Sequence, residues 1–280
     1  MQNRAVCWLQ INVEEPQRMT ENILTEIHDG YRVLIINRPD KMNALDRPTV
    51  SRLNECLKEA EADENCRALV ITGAGRGFCA GADLSGRNDP SRPRSAGSTL
   101  EDTWNPLARR LHNLRMPTIA AVNGFAAGAG SSIALGCDIV IAAKSAKFLQ
   151  AFAKIGLVPD AGGTYLLPNL AGSARARGMA MLAEPVPAET ALAWGMIWQV
   201  VEDAALMDEA HKLAARMAKM PTLALTLIRK LLAAGGSSSM ADALDMERDT
   251  QGIASASPDH KEGVAAFLEK RAPKFTGKAH

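Results

Sequence analysis

The 280 residues contain no CxxC pair, no HExxH and no apolar run long enough to span a bilayer. The five cysteines, Cys7, Cys56, Cys66, Cys79 and Cys137, are odd in number and scattered. They indicate neither a disulfide framework nor a zinc site, and they suit a reducing cytoplasm. The five histidines, His28, His112, His211, His260 and His280, are equally dispersed, so no metal centre is expected. Lys and Arg total 32 against 31 Asp and Glu, a net charge of +1, and no stripe of basic and aromatic residues stands out. That balance lacks the electrostatic footprint of a nucleic-acid binder. GxGxxG, GxxxxGK[ST] and GxSxG are all absent, which removes the usual signatures of a dinucleotide fold, a P-loop and a serine-hydrolase elbow. Residues 1–18 have no long apolar stretch and do not read as a secretory signal. Met19 opens the more natural MTENILTEIHDG, so residues 1–18 read as an extension upstream of the fold.

What is present is an apolar, alternating α/β pattern. Hydrophobic residues make up 47%, enough for a sizeable core in one large domain or two small ones. Tyr31–Asn37, Arg67–Gly73, Thr118–Val122 and Asp138–Ala143 are short, β-branched or aliphatic runs that predict buried strands. Lys147–Leu149 predicts a short extended piece. Asp46 is a plausible N-cap for a helix over 47–62, with Leu53, Cys56, Leu57 and Ala60 as its buried stripe. A helix is expected over about 100–114, ended by Pro117. From Ser173 the pattern is almost all helix, over 173–183, 187–194, 203–219, 222–234, 239–255 and 259–270, with one strand at Trp198–Val201. The expected organisation is an α/β core over 19–200 and a helical region over 201–280. The apolar face Leu223/Leu227/Ile228/Leu231 needs a partner surface, either the core or another subunit. The loop 86–98 (GRNDPSRPRSAGS) is polar, and Arg87, Arg92 and Arg94 within it read singly as solvated surface.

Two Gly/Ala-rich turns stand out, FCAGADL at 78–84 and GFAAGAG at 124–130, each read as strand, turn and helix. Such a turn leaves backbone N–H groups unpaired at the positive end of a helix with no side chains in the way. Two converging N–H groups form an oxyanion hole, worth several kcal/mol to an enolate or a tetrahedral intermediate. Ser131 and Ser132 read as small packing residues rather than nucleophiles. A third Gly-rich turn, Gly156–Gly163, carries Asp160, which from the residues alone reads as a turn or N-cap aspartate.

Taken together and in order, NRPDKMNAL, ALVITGAGRGFCAGADL, PTIAAVNGFAAGAG, CDIVIAA, GLVPDAGGTYLLPNLAG and EGVAAFLEKRAPKF resemble the crotonase (enoyl-CoA hydratase/isomerase) superfamily, from about Glu21 to Gly277. The resemblance implies a spiral of ββα units with a C-terminal helical trimerisation region. It also implies a homotrimer or a dimer of trimers, an acyl-CoA thioester as substrate and no separate cofactor, CoA being part of the substrate. It puts the oxyanion N–H groups on Ala82 and Ala129, and a CoA-binding surface on Lys41, Asn43 and the loop Ala80–Leu84, Asp83 included. Phe267 and Lys270, on a late helix, are implied to reach the CoA of a neighbouring subunit.

The departures from the family pattern are equally informative. Hydratases of this superfamily use two glutamates, and the matching positions here hold Ser132 and Phe152. Acid and base roles in water addition need both carboxylates. Asp160, among the apolar Leu157, Val158 and Tyr165, is the carboxylate that remains, and burial there should make it a usable base. One base beside an oxyanion hole suits proton removal at one carbon and return at another, and Phe152 suits a ring or unsaturated chain. The VPDAG turn, the GAG turn and the tail from Asp259 to Phe267 resemble the ring-1,2-epoxyphenylacetyl-CoA isomerase branch of the superfamily. The alternatives are hydration, hydrolysis or dehalogenation using Asp160, and a catalytically idle scaffold.

Overall fold

The computed structural model describes residues 21–85 and 96–278. The expected extension at 1–18 and the arginines of the 86–98 loop lie outside the described residues. The chain opens with an antiparallel hairpin, β1 (Ile23–His28) and β2 (Tyr31–Ile36), turned at Gly30 with φ +80. After it, strands come in pairs: β3 (Ala68–Gly73) with β4 (Gly77–Cys79), β5 (Thr118–Val122) with β6 (Phe125–Ala127), and β7 (Ile139–Ala143) with β8 (Lys147–Leu149). Two further strands, β9 (Val186–Pro187) and β10 (Gln199–Val201), complete the set.

The first member of each pair joins one sheet and the second joins another. The larger sheet has the order β1-β2-β3-β5-β7-β10 and is parallel beyond the first hairpin. The smaller has the order β4-β6-β8-β9, with β4, β6 and β8 parallel. Each circuit of the chain therefore adds one strand to each sheet, which is the expected spiral. Every residue of β3 and β5 is buried, as strands covered on both faces require.

Helices pack around the sheets: α1 (Arg47–Ala62), α2 (Asn105–Asn113), α3 (Ala129–Leu135), α4 (Gly163–Ala171), α5 (Ser173–Leu182), α6 (Ala188–Ala193) and α7 (Leu206–Met217). The Asp46 carboxylate accepts from Thr49 N at 2.9 Å and caps α1, whose Leu53, Cys56, Leu57 and Ala60 are all buried as the spacing predicts. The tail is α8 (Thr222–Gly235), α9 (Met240–Ser255) and α10 (Pro258–Leu268). Arg229 ties α8 to the core: its guanidinium donates to both Asp138 carboxylate oxygens at 2.6 Å and to the Leu114 and Met116 carbonyls. The α8 face divides, with Leu223, Leu227 and Leu231 half-buried while Ile228 and Leu232 are exposed.

Several details differ from the expectation. The 100–114 segment starts as a wide π turn, Leu100–Trp104, before α2 begins. α4 and the strands β1, β4, β6 and β9 are additions. The last three of these are two or three residues long, too short to show a period of two. The histidines are not all dispersed in space, because the rings of His28 and His211 lie 5.0 Å apart.

Candidate active site

β4, β6 and β8 are adjacent and parallel, so the chain leaves all three at the same end of the small sheet. The segments that follow them therefore lie side by side: Ala80–Ala82 after β4, Gly128–Ala129 after β6, and the single turn Ala151–Ile155 after β8. Ligand sites in α/β proteins gather at such carboxyl ends. The 159–163 turn closes the fourth side. Between them is a cavity of about 390 Å³.

Glycine sets how closely these walls approach. Gly81 has φ +90, and a Cβ on it would stand 2.7 Å from the Ala127 carbonyl and 3.4 Å from the Ala129 nitrogen. Gly128, with φ 51 and ψ −126, turns the chain from β6 into α3. Gly130 lies against Cys79, where an added Cβ would come 2.3 Å from the carbonyl oxygen. The Cys79 thiol is buried under this contact, and desolvation pushes its pKa up to about 12, so it stays protonated and inert.

Ala82 and Ala129 both line the cavity. Among the described residues neither backbone N–H has a hydrogen-bond partner. The reasons differ. Ala129 is the first residue of α3, whose opening N–H groups are unpaired by construction of a helix. Ala82 sits in a one-residue parallel bridge with Leu45. The bridge uses Gly81 O, which accepts from Leu45 N at 2.7 Å, and Asp83 N, which donates to Leu45 O at 2.9 Å, and it skips the amide between them. The expectation that 78–84 runs into a helix is thus corrected: residues up to Ser85 form no helix, and a bridge holds Ala82 instead.

Asp160 lines the same cavity and is half-buried. It is not the N-cap of α4, which is entered through Gly162 with no side-chain cap; the Asp160 carbonyl accepts from Gly163 N at 2.9 Å. The remaining walls are largely apolar: Phe152, buried, with Leu157 and Val158 on one side, and Leu100 and Trp104 from the π turn on the other. Lys154 is the one basic group among the described lining residues, and it is exposed. Leu100 and Trp104 were not singled out by sequence, since no motif fixes which face of the 100–114 segment turns inward, and nothing local marked Lys154 in the Ala151–Ile155 turn.

Of the residues expected at the site, Ala80, Ala82, Leu84, Ala129, Phe152 and Asp160 meet on this cavity. Lys41, Asn43, Asp83, Phe267 and Lys270 do not line it. Asn43, expected to touch CoA, is fully buried; its amide donates to the Ala74 and Gly77 carbonyls at 2.9 and 2.7 Å and accepts from Arg38 N at 2.8 Å. Its side chain is a brace for the turn beneath β4. Asp83 pairs with Arg38 at 3.1 Å and accepts from Ser85 N and Oγ; these hydrogen bonds, the Ser85 pair foremost, hold its carboxyl below the usual range. Lys41, Phe267 and Lys270 are solvent-exposed, and Phe267 is 83% exposed on the far end of α10. Tyr165, expected beside Asp160, lines a separate cavity of about 270 Å³ with Ala161 and Gly162, and its hydroxyl donates to Ala233 O at 3.1 Å.

Two unpaired N–H groups and one carboxylate around an apolar cavity can bind a carbonyl oxygen and exchange a proton beside it. Comparison with known proteins identifies the family. The 1,2-epoxyphenylacetyl-CoA isomerase of Escherichia coli (strain K12) is 52% identical over 262 residues, covering 93% of this chain and all of that protein. The crotonyl-CoA hydratase of Syntrophomonas wolfei is 36% identical over 92% of this chain and 99% of its own length. The crystal structure of an enoyl-CoA hydratase from Bacillus anthracis superposes with a TM-score of 0.85 at 29% identity, covering 92% of this chain and all of that one. Residues 26–278 match the enoyl-CoA hydratase/isomerase family, and the chain belongs to it.

Proposed function

We propose that this protein is an acyl-CoA isomerase that moves a double bond, or opens a ring epoxide, in a CoA thioester by proton transfer. The observation that carries the reading is that Asp160 is, among the described lining residues, the one carboxylate on the cavity that also presents Ala82 and Ala129. The positions matched to the two hydratase glutamates hold Ser132, whose hydroxyl is buried against Gly128 O, and Phe152. The thioester oxygen sits between the Ala82 and Ala129 N–H groups. The Asp160 carboxylate removes a proton α or γ to the thioester carbonyl, the electron pair moves onto that oxygen, and the two N–H groups hold the enolate. The protonated Asp160 then returns the proton at a different carbon, so no atom is gained or lost. The 52% identity to an isomerase named for 1,2-epoxyphenylacetyl-CoA supports a ring-bearing acyl group and a place in phenylacetate breakdown. The wall of Phe152 and Trp104 suits a flat ring.

No cofactor takes part in this scheme. The exposed apolar side chains of α8 to α10, with Leu232 75% and Phe267 83% exposed, support burial against further copies of the chain, and we infer a trimer or a dimer of trimers. The four described cysteines are free and buried, which suits the cytoplasm. Among the described residues no helix is long and apolar enough to cross a membrane.

Asp160→Asn tests the mechanism on a panel of ring-epoxide, 2-enoyl and 3-enoyl CoA esters. The variant keeps affinity for a CoA ester but loses isomerisation by at least about 10²-fold in kcat. Near wild-type kcat in the variant refutes Asp160 as the base. Hydrated products from the wild type would replace isomerisation with water addition, and a covalent aspartyl adduct seen by mass spectrometry would replace it with nucleophilic attack.

A further inference from the structure

On the edge of the larger sheet, away from the cavity, the fold assembles Glu26, His28 and His211. Glu26 and His28 are two apart on β1 and so share one face of the strand. His211 comes from α7, which packs over the sheet. One donor atom from each of the three lies within 4.8 Å of the others, and Glu26 Oε2 is already 3.2 Å from His28 Nε2. Among the described residues this is the one such grouping of three. Zinc bonds of about 2.0–2.2 Å to nitrogen and oxygen in a tetrahedral shell put ligand atoms roughly 3.3 Å apart. The half-exposed Glu26 and His28 have the freedom to close that gap.

The surroundings resemble a prepared site more than a chance cluster. Tyr31 stacks on His28 with ring centroids 4.7 Å apart and planes 5° from parallel, which fixes the imidazole's plane. The Tyr31 hydroxyl is 3.0 Å from His211 Nδ1. In the tautomer whose Nδ1–H donates a hydrogen bond to the Tyr31 oxygen, His211 keeps the Nε2 lone pair for a metal, and the ring is held by an outer partner as ligating histidines usually are.

We propose that Glu26, His28 and His211 bind one borderline divalent transition cation of the Zn²⁺ or Ni²⁺ class, with water completing its shell and Tyr31 positioning His211. Two imidazoles and a carboxylate are the donor set such ions prefer over Mg²⁺ or Ca²⁺. The ion joins the β1–β2 hairpin at the edge of the sheet to α7. This site is independent of the isomerase reading and shares no residue with the cavity.

The test uses the full chain, free of added tags and stripped with a chelator, titrated with zinc chloride in a calorimeter and with Co²⁺ in a visible spectrometer. One equivalent should bind with micromolar affinity, raise the melting temperature, and give a Co²⁺ spectrum without thiolate charge-transfer bands. His28→Ala and His211→Ala should each weaken binding at least about tenfold, and Tyr31→Phe about tenfold through the lost outer partner. Glu26→Gln, nearly isosteric and half-exposed, provides a measurement should an alanine variant fail to fold. Circular dichroism without metal confirms the fold of each variant. No saturable binding, binding unchanged by the histidine substitutions, or a cysteine-type Co²⁺ spectrum overturns the proposal.

Discussion

Gly130→Ala is the sharpest test of how the site is held. Gly130 is the second residue of α3, just after Ala129, and it faces β4. A Cβ there would meet the Cys79 carbonyl oxygen at 2.3 Å and the Cys79 Cβ and Sγ at 2.7 Å. Ordinary contact begins near 3.4 Å, so the start of α3 must retreat from β4 by about 1 Å. The obstacle is backbone, which cannot rotate away. Overpacking of this kind costs about 1–3 kcal/mol of stability. The larger effect is on chemistry, because the retreat carries the Ala129 N–H away from the Ala82 N–H. A displacement of that size lowers kcat by about 10²-fold when it misplaces a reacting group. Steady-state isomerisation of a 3-enoyl CoA ester, with calorimetric melting on the same samples, reads both effects. A companion, Gly130→Ala with Cys79→Ala, removes the sulfur but leaves the carbonyl, so it should restore little. Unchanged kcat in the single variant refutes the argument that this contact sets the spacing of the two amides. Full recovery in the double variant shows that the thiol, not the carbonyl, is the obstacle.

The remaining expectations concern the turn under β4 and the C-terminal tail. Asn43→Ala strips a donor from the Ala74 and Gly77 carbonyls and an acceptor from Arg38 N, and leaves alanine at φ 58; it should cost about 3 kcal/mol, read by denaturant unfolding. If Asn43 instead contacted CoA, KM would rise while stability held. Glu262 accepts from the Arg271 guanidinium and from Lys274 N, which bring its pKa from 4.5 to about 2. A depressed carboxylate stabilises the fold fully above pH 4.5, and the contribution is lost as pH falls toward 2. Amide exchange over residues 269–278 should therefore quicken across that window, and Glu262→Gln should show the faster exchange already at pH 7 with no further step. An identical pH profile in the variant would remove Glu262 as the tether.

The longer strands and helices were legible because burial imposes a period on them. α1 carries its apolar residues three and four apart, and β3 and β5 are unbroken aliphatic runs, so each declared itself locally. Of the small sheet only β8 declared itself, as the extended piece Lys147–Leu149; β4, β6 and β9 are two or three residues long and owe their existence to neighbouring strands of that sheet. Ala82, Ala129 and Asp160 stood out only through the order of motifs along the whole chain. Nothing local distinguishes Asp160 from a capping aspartate, and it took the entry of α4 through Gly162 to separate the two. Asn43 shows the opposite failure: a polar residue in a motif suggested a ligand contact, whereas its three hydrogen bonds are all internal. His28 and His211, separated by the length of the core, could be joined only by the fold.

In the proposed mechanism the two donors to the substrate oxygen belong to the peptide backbone at Ala82 and Ala129, so a codon change at either position deletes a donor only by writing proline. The side chains that the proposed mechanism uses to separate one reaction from another, at 132, 152 and 160, sit on separate segments of the chain. Under random mutation such a site loses its anion-binding half rarely and samples its acid–base half often. A laboratory search for new thioester chemistry in this scaffold should accordingly randomise those three positions together and leave the glycines at 81, 128 and 130 untouched.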